Sequence, residues 1–291
     1  MFLLDTTEKM LVLIFFVTTM LSIGMQTRMS DLRLLAASKG LLVRTLLANF
    51  VAVPIAGVAI AFLLPLQPLV AGALVLLACT PGGVSSVQFT SKVKGSVPLA
   101  GATLFLLSLL AVFLSPVLLQ LALPGKVQIV VPHGRVLLFL LVYLLLPLVA
   151  GMFLIDREPG VAVKLSRPVA LAGVAAFVVF MAVTSDWRKM ATGEVGMAGV
   201  GAMLLFILVS LAVGWFMGGP THDSRQILAT STSMRNAALC LAIVQSSAPG
   251  HAVMVPLIAF SLLMVPPNML FTTYHAIQGK RKARKALLGQ N

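Results

Sequence analysis

The sequence predicts an all-α polytopic membrane protein with nine transmembrane helices, and its composition and the length of its apolar runs support that prediction. Of its 291 residues 59% are hydrophobic and only 10% are charged, and the mean hydropathy is +1.04. A soluble domain usually carries about 25% charged residues. The apolar runs extend for about 20 residues, which suits helices that cross a bilayer and not the strands of about ten residues that build a barrel.

The nine apolar runs follow one another with short connections. They cover approximately residues 9–26, 41–63, 69–93, 97–121, 134–155, 163–184, 195–217, 225–248 and 251–275. We expect a single transmembrane domain over residues 1–291. Its first half is expected at about 9–121, its second half at about 134–275, and a basic cytoplasmic tail at 276–291.

The distribution of basic residues predicts the orientation of the chain. If the spans alternate with the tail inside, fifteen Lys and Arg residues lie on the inner side and five on the outer side. Cytoplasmic loops carry the excess of Lys and Arg. We therefore expect a multi-pass protein of the inner (plasma) membrane with its N-terminus outside and its C-terminus cytoplasmic. The net charge of +13 is explained in this way and does not indicate a nucleic-acid partner.

Arg235 is the most informative residue, because it lies within the apolar run 227–244. Eight residues precede it in that run, so it is expected roughly 12 Å along the helix, near the middle of a bilayer core about 30 Å thick. A charge at that depth costs roughly 2.5–3.5 kcal/mol and indicates function. All eight acidic residues lie at the ends of the apolar runs or between them: Asp5, Glu8, Asp31, Asp156, Glu158, Asp186, Glu194 and Asp223. Arg235 is therefore expected to pair with a bound anion. The alternative is that carbonyls at a helix break satisfy it, and both can hold together.

Two of the predicted spans are interrupted at corresponding positions in the two halves. Pro81, Gly82 and Gly83 interrupt the third span, because proline lacks a backbone donor and glycine loosens the helix. The second interruption, in the eighth span, is the hydroxyl-rich segment 230–233, which Arg235 and Asn236 follow. Paired interruptions of this kind indicate an inverted-repeat transporter with a site where two broken helices cross.

These segments resemble the bile acid:sodium symporter family over nearly the whole chain. Ser22-Ile-Gly-Met-Gln-Thr-Arg-Met-Ser-Asp31 is similar to the family's Gly-Met-Gly-Leu-Thr-Leu-Lys-x-Ser-Asp. Cys79-Thr-Pro-Gly-Gly-Val-Ser-Ser86 is similar to Cys-Pro-Gly-Gly-Thr-Ala-Ser-Asn, and Ser231-Thr-Ser-Met-Arg-Asn236 lies where the family has Glu-x-Gly-Met-Gln-Asn. The resemblance implies panel and core subdomains, two crossing broken helices and alternating access. Compared with ten-helix members, this sequence is expected to lack the first helix.

The resemblance also implies where sodium would bind, and this sequence departs from the family there. The ligands of the first sodium site fall at Ser86, Val87, Ala100, Leu104 and Ser231, three of which offer only carbon. The second site falls at three positions: Asn49, Ser231 and Arg235. Arginine has donors only and a permanent positive charge, so it cannot bind sodium.

We therefore expect Arg235 to replace the second sodium as a tethered cation, bonded to oxygens of Asn49, Ser231 and Thr232 and to carbonyls at the helix ends. The positions expected to be equivalent to the cation sites are Asn49, Ser86, Ser231, Thr232, Met234 and Arg235. No metal site and no cofactor are expected, and sodium remains possible without being expected.

The expected function is secondary transport of an organic anion by alternating access. An enzyme is not expected, because the sequence shows no pair of nucleophile and base. The substrate-binding residues are expected to be Arg235, Asn236, Ser85, Ser86 and Val84. The alternative for Asn236, Ser85 and Ser86 is helix capping. Substrate candidates are a bile-acid-like, keto-acid or pantoate-like carboxylate, which a bidentate arginine suits.

Three other functions stay open at this point. They are a sodium-coupled organic anion symporter, a non-transporting membrane binding or receptor protein, and an arsenite-type exporter, the last resting on Cys79 alone. The expected partners are a small organic anion and the lipid bilayer, without nucleic acid. The oligomeric state is left open.

Overall fold

The computed structural model describes residues 6–83, 85–92, 97–122, 134, 138, 141–183, 195–246 and 251–288. All regular secondary structure in these residues is helical. The described part therefore agrees with the predicted all-α membrane protein.

The described residues of the first half of the chain contain seven α-helices and one π-helical turn. The π-helical turn covers Ala48–Ala52 and joins the third helix to the fourth. The α-helices are α1 Thr6–Gly24, α2 Met29–Ala37, α3 Lys39–Leu47, α4 Val53–Leu63, α5 Pro68–Ala78, α6 Ser85–Lys92 and α7 Val97–Ala122.

In the part of the second half that the structure describes, seven further α-helices have defined bounds, and a π-helical turn at Leu141–Leu145 precedes the first of them. They are α8 Leu146–Arg157, α9 Pro159–Val183, α10 Gly196–Met217, α11 His222–Ser233, α12 Ala237–Ser246, α13 His251–Leu263 and α14 Val265–Leu288. The last helix continues through most of the segment that was expected to be the tail.

Five described helical segments are long and apolar enough to cross a membrane: Lys39–Leu63, Leu99–Ala122, Pro159–Phe180, Gly196–Met217 and Val253–Gln278. A sixth is reached when Met10–Gly24 and Met29–Ala37, bent by 70°, are taken as one span. The predicted spans 69–93 and 225–248 are each divided into two helices too short to cross alone. The predicted span 134–155 lies partly outside the described residues, so the number nine remains a prediction.

Each π-helical turn comes shortly before a proline. Pro54 and Pro147 lack the backbone N–H that would bond the carbonyl four residues earlier, and their rings crowd that carbonyl. A π-helical turn accommodates this by widening the helix locally. Asn49 lies within the first of these turns, so its position in the site depends on this irregularity.

The helices pack in two groups. In one group, α1 packs against α8 and α9. A side chain in place of Gly24 would meet the carbonyl of Leu148, so these backbones approach closely. In the other group, α5 lies at the centre among α4, α13 and α12, and α10 packs along α11. The seven consecutive residues from Gly72 to Ala78 in α5 are all buried, which places the end of this helix deep in the protein.

Candidate functional site

The two interruptions predicted from the sequence lie against each other. The backbone N–H of Gly83 donates to the carbonyl of Met234 at 3.0 Å, and the N–H of Asn236 donates to the carbonyl of Thr80 at 3.0 Å. Backbone groups that leave a helix inside a membrane must find partners within the protein. Here each break satisfies the other, which fixes the ends of four half-length helices at one point.

Glycine is required at two positions of the first break. Gly82 has a φ of 92°, a left-handed conformation that residues with a side chain rarely adopt. At Gly83 a Cβ atom would collide with the backbone of Met234 and Arg235. The close approach of the two breaks therefore depends on these glycines.

Arg235 lies at this contact and is 1% exposed, which makes it the largest fully buried side chain of the described residues. Its Nε donates to the carbonyl of Leu77 at 2.8 Å, and its Nη2 donates to the carbonyl of Ala78. Its Nη1 donates to Asn49 Oδ1 at 3.2 Å and to the carbonyl of Thr232 at 3.3 Å. Four hydrogen bonds to oxygen thus surround the guanidinium.

The carbonyls that hold Arg235 belong to the C-terminal ends of two half-helices. Leu77 and Ala78 end α5, and Thr232 lies in the last turn of α11. Last-turn carbonyls have no partner within their helix and carry the negative end of the helix dipole, so they favour a cation. The alternative in which helix-break carbonyls satisfy Arg235 is thus what the geometry shows, whereas direct contact with a substrate remains a prediction.

Of the other positions of the expected cation site, some bond Arg235 and others bond elsewhere in the protein. Asn49 contributes its side-chain oxygen, and Thr232 contributes its carbonyl while its hydroxyl bonds Ser210 at 2.7 Å. Ser231 donates its hydroxyl to Leu228 in its own helix at 3.0 Å and has no hydrogen bond with Arg235. Met234 contributes the carbonyl that accepts the backbone N–H of Gly83.

The positions equivalent to the first sodium site lie in apolar surroundings. Val87, Ala100 and Leu104 are buried members of the main hydrophobic cluster. Ser86 is also buried, and its backbone N–H bonds the carbonyl of Gly83 at 3.1 Å. Two expected substrate residues add nothing here: Val84 lies outside the described residues, and of Ser85 only the place at the start of α6 is described.

Asn236 combines a cap with an unused donor. Its Oδ1 accepts the backbone N–H of Leu239 at 3.0 Å, so it caps the start of α12. Its Nδ2 has no hydrogen-bond partner among the described residues, although the residue is only 2% exposed. A buried amide donor without a partner costs about 1–3 kcal/mol. This donor is therefore available to an acceptor that is not part of the described protein.

A cavity lies between the two helix groups and was missed by the sequence predictions. It has a volume of about 140 Å³ and reaches from α1 and α9 to the start of α6 and α7, where Val87 and Gly101 line it. Its polar lining comes from Thr19 and Ser22 of α1 and from Gln26 and Thr27 in the turn that follows this helix. Thr19, Ser22 and Gln26 form a polar stripe at helical spacing, a signal the sequence contains. Neither Arg235 nor Asn236 lines this cavity.

Comparison with known proteins supports a transport role. The profile of the Sodium Bile acid symporter family matches residues 11–191. The uncharacterized sodium-dependent transporter YocS of Bacillus subtilis is 25% identical over 282 residues, which are 93% of this chain and 81% of that protein.

Two further similarities cover less of the relatives. The ileal sodium/bile acid cotransporter of Oryctolagus cuniculus is 27% identical over 69% of this chain and 59% of that protein. The probable sodium/metabolite cotransporter BASS1 of Arabidopsis thaliana chloroplasts is 32% identical over 47% of this chain and 33% of that protein. The family profile covers more than half of this sequence, and the chain belongs to the sodium bile acid symporter family.

Proposed function

We propose that this protein is a secondary transporter of a small organic anion that works by alternating access without bound sodium, with Arg235 as a fixed cation in place of the second sodium ion. The observation that carries the proposal is the oxygen cage around the guanidinium, made of the carbonyls of Leu77, Ala78 and Thr232 and the side chain of Asn49. These are the oxygens that a cation at the ends of two half-helices would use.

Charge balance supports this role for Arg235. The family's glutamate falls at Ser231, so this site has lost a negative charge and gained a permanent positive one. A sodium ion placed beside the guanidinium would be repelled, and its oxygen ligands are already occupied. The carbon-lined positions Val87, Ala100 and Leu104 leave little to hold sodium at the first site.

A fixed buried cation favours binding of an anion near the crossing. Asn236 offers an unused donor at the same crossing. The start of α6 adds backbone N–H groups at the positive end of a helix dipole, next to the cavity lined by Ser22 and Gln26. We propose that the anion moves between the two helix groups along this polar stripe.

The size of the cavity favours a small substrate. A cavity of about 150 Å³ accommodates a molecule the size of benzene, and the volume here is about 140 Å³. A keto acid fits that space directly, and a pantoate-like acid needs a modest opening. A bile-acid-like substrate would require the two helix groups to separate widely.

The driving force is proposed to be the substrate gradient, by facilitated diffusion or anion exchange. The eight acidic residues all lie at the ends of the apolar runs or between them, which leaves no carboxylate at the crossing to carry a proton. With the proposed cytoplasmic C-terminus in the inner membrane, an inside-negative potential favours export of an anion by roughly 2.3 kcal/mol per charge per 100 mV.

Sodium coupling is the second candidate, because the relatives include a sodium-dependent transporter and a sodium/bile acid cotransporter. Uptake of labelled organic acids into proteoliposomes at clamped potential separates the two candidates. We expect equal, saturable flux in sodium and potassium buffers. Flux stimulated by sodium would overturn the proposed independence, and absence of flux with retained binding would indicate a binding protein.

A matched variant sharpens this test. Ser231→Glu combined with Arg235→Gln restores the residues that the family has at these two positions. We expect this double variant to acquire sodium-stimulated flux or sodium-dependent thermal stabilisation that the native chain lacks. If the native chain and the double variant respond to sodium identically, Arg235 does not stand in for the ion.

A further inference from the structure

An apolar groove lies between α10 and α14, away from the crossing. It has a volume of about 730 Å³, and its walls include Leu208, Ala212 and Phe216 of α10 and Pro267 and Leu270 of α14. Phe216 and Leu270 are 82% and 73% exposed, so the groove opens on the outer surface of the helix bundle. On a membrane protein such a surface faces acyl chains.

One end of this groove is closed by a cluster of aromatic rings and imidazoles. The Trp215 ring stacks on His275 with centroids 4.6 Å apart, and His222 lies 5.1 Å from His275. Tyr274 contacts the same imidazole at 5.2 Å. Tryptophan and tyrosine concentrate where a bilayer meets water, so this end of the groove has the composition of a headgroup region.

Two arginines border the cluster. The guanidinium of Arg225 lies 5.8 Å from the Trp215 ring, and its Nε donates to the carbonyl of Gly219 at 2.7 Å. Arg44 approaches Gly219 from the other side, because a side chain at that glycine would meet its Nη1. Within the part of the chain that the structure describes, neither arginine forms an ion pair. Asp223 is the only acidic residue between Gly218 and Arg225 in the sequence.

The basic character continues along α14. The helix runs through Leu288, and Lys280, Arg281 and Lys282 follow His275 within about 11 Å at the helical rise. Arg225 gives one end of the groove a positive charge, whereas the rest of the groove is apolar. This division matches a molecule with a negative head and a hydrocarbon body.

We propose that the groove between α10 and α14 binds one anionic phospholipid. An acyl chain occupies the apolar groove, and the phosphate lies at the cluster of Trp215, His222 and His275, where Arg225 supplies the main positive charge. Arginine pairs with phosphate through two parallel hydrogen bonds, and basic sites between membrane helices bind anionic headgroups. A free phosphate would leave the apolar groove unused, so the structure favours the lipid as the source of the anion.

The test is native mass spectrometry of the full chain in detergent with phosphatidylglycerol or phosphatidylcholine of identical acyl chains. We expect preferential retention of one phosphatidylglycerol. Arg225→Gln should weaken this retention about five-fold, because one basic residue near a membrane surface strengthens binding by about that factor. Arg225→Lys should retain most of it. The matched control is Arg157→Gln, because Arg157 also lies over an aromatic ring, Phe153, at the end of a different helix.

A second variant tests the groove without changing charge. Ala212→Phe fills the groove beside Phe216 and should weaken phosphatidylglycerol retention while the arginines remain. Glycerol phosphate should compete poorly, because it lacks the acyl chain. Equal retention of the two lipids, equal loss in Arg225→Gln and Arg157→Gln, or efficient competition by glycerol phosphate would each overturn the proposal.

Discussion

The guanidinium of Arg235 donates from Nη1 to Oδ1 of Asn49 at 3.2 Å, joining two residues 186 positions apart in the chain. The amide of Asn49 is oriented by its own Nδ2, which donates to the carbonyl of Thr45 at 3.1 Å. Asn49 therefore presents an oxygen to the cation, and the π-helical turn before Pro54 places it there. This contact connects the first half of the chain to the break in the second half.

Asn49→Asp should separate the charge of Arg235 from its structural role. The carboxylate keeps the oxygen that receives Nη1 and neutralises the cation, and it gives up only the bond from Nδ2 to the carbonyl of Thr45. For an anion bound about 10 Å away, loss of one charge at an effective dielectric of about 20 is worth roughly 1.7 kcal/mol. We expect anion affinity to fall by about 15-fold, measured by saturable flux or by calorimetry.

Asn49→Gln is the control for that variant, because it keeps an uncharged amide. Its affinity for the anion should stay within a few-fold of that of the native chain. Equal loss in the two variants would show that the shape of the side chain matters and its charge does not.

Arg235→Gln should destabilise the protein and weaken anion transport together. The change removes a buried cation and the donor that it supplies to the carbonyl of Ala78, whereas the carbonyl of Leu77 keeps its bonds from Thr80. A hydrogen bond from a charged group is worth about 1.5–3 kcal/mol, and a buried acceptor left without a partner costs about 1–3 kcal/mol. Thermal unfolding in detergent measures this loss, and Arg157→Gln serves as the exposed control.

Arg235→Lys tests whether the site needs only a positive charge or also the several donors of a planar guanidinium. Lysine restores the charge but reaches fewer of the oxygens at once, so we expect partial recovery of both stability and flux. Full flux in Arg235→Gln would contradict the tethered-cation proposal outright.

The sequence contained enough to predict that Asn49 and Arg235 share a site, because a charge in an apolar run needs oxygen partners and the resemblance places both at one cation position. It did not predict Leu77 and Ala78 as partners, because every residue has a backbone carbonyl and the residue type does not show which one binds the guanidinium. It assigned a guanidinium contact to Ser231, whose hydroxyl instead bonds its own helix. The number of spans was not settled, because broken helices are individually too short to qualify.

Gly83→Ala should disrupt the contact between the two breaks. The added methyl group would collide with the backbone of Met234 and Arg235, which cannot move as a flexible side chain would. Overpacking of this kind costs typically 1–3 kcal/mol. We expect a lower unfolding temperature and a reduced flux.

Gly72→Ala is the matched control for this loss. Gly72 lies in α5, and a Cβ there would meet no atom within 4 Å. Alanine in a helix interior is favoured over glycine by roughly 0.5–1 kcal/mol. Gly72→Ala should therefore stabilise the chain slightly, and similar destabilisation by both variants would argue against a specific role for the crossing.

Asn236→Asp separates capping from substrate binding at one residue. Aspartate caps a helix as well as asparagine does, so the oxygen that receives the N–H of Leu239 is retained. The unused donor, however, is replaced by a negatively charged acceptor, which repels an organic anion. We expect the unfolding temperature to change little while anion affinity falls at least ten-fold. Thermal unfolding and saturable flux measured on the same preparation check both parts. Transport by this variant equal to that of the native chain would show that the unpaired Nδ2 has no part in substrate recognition.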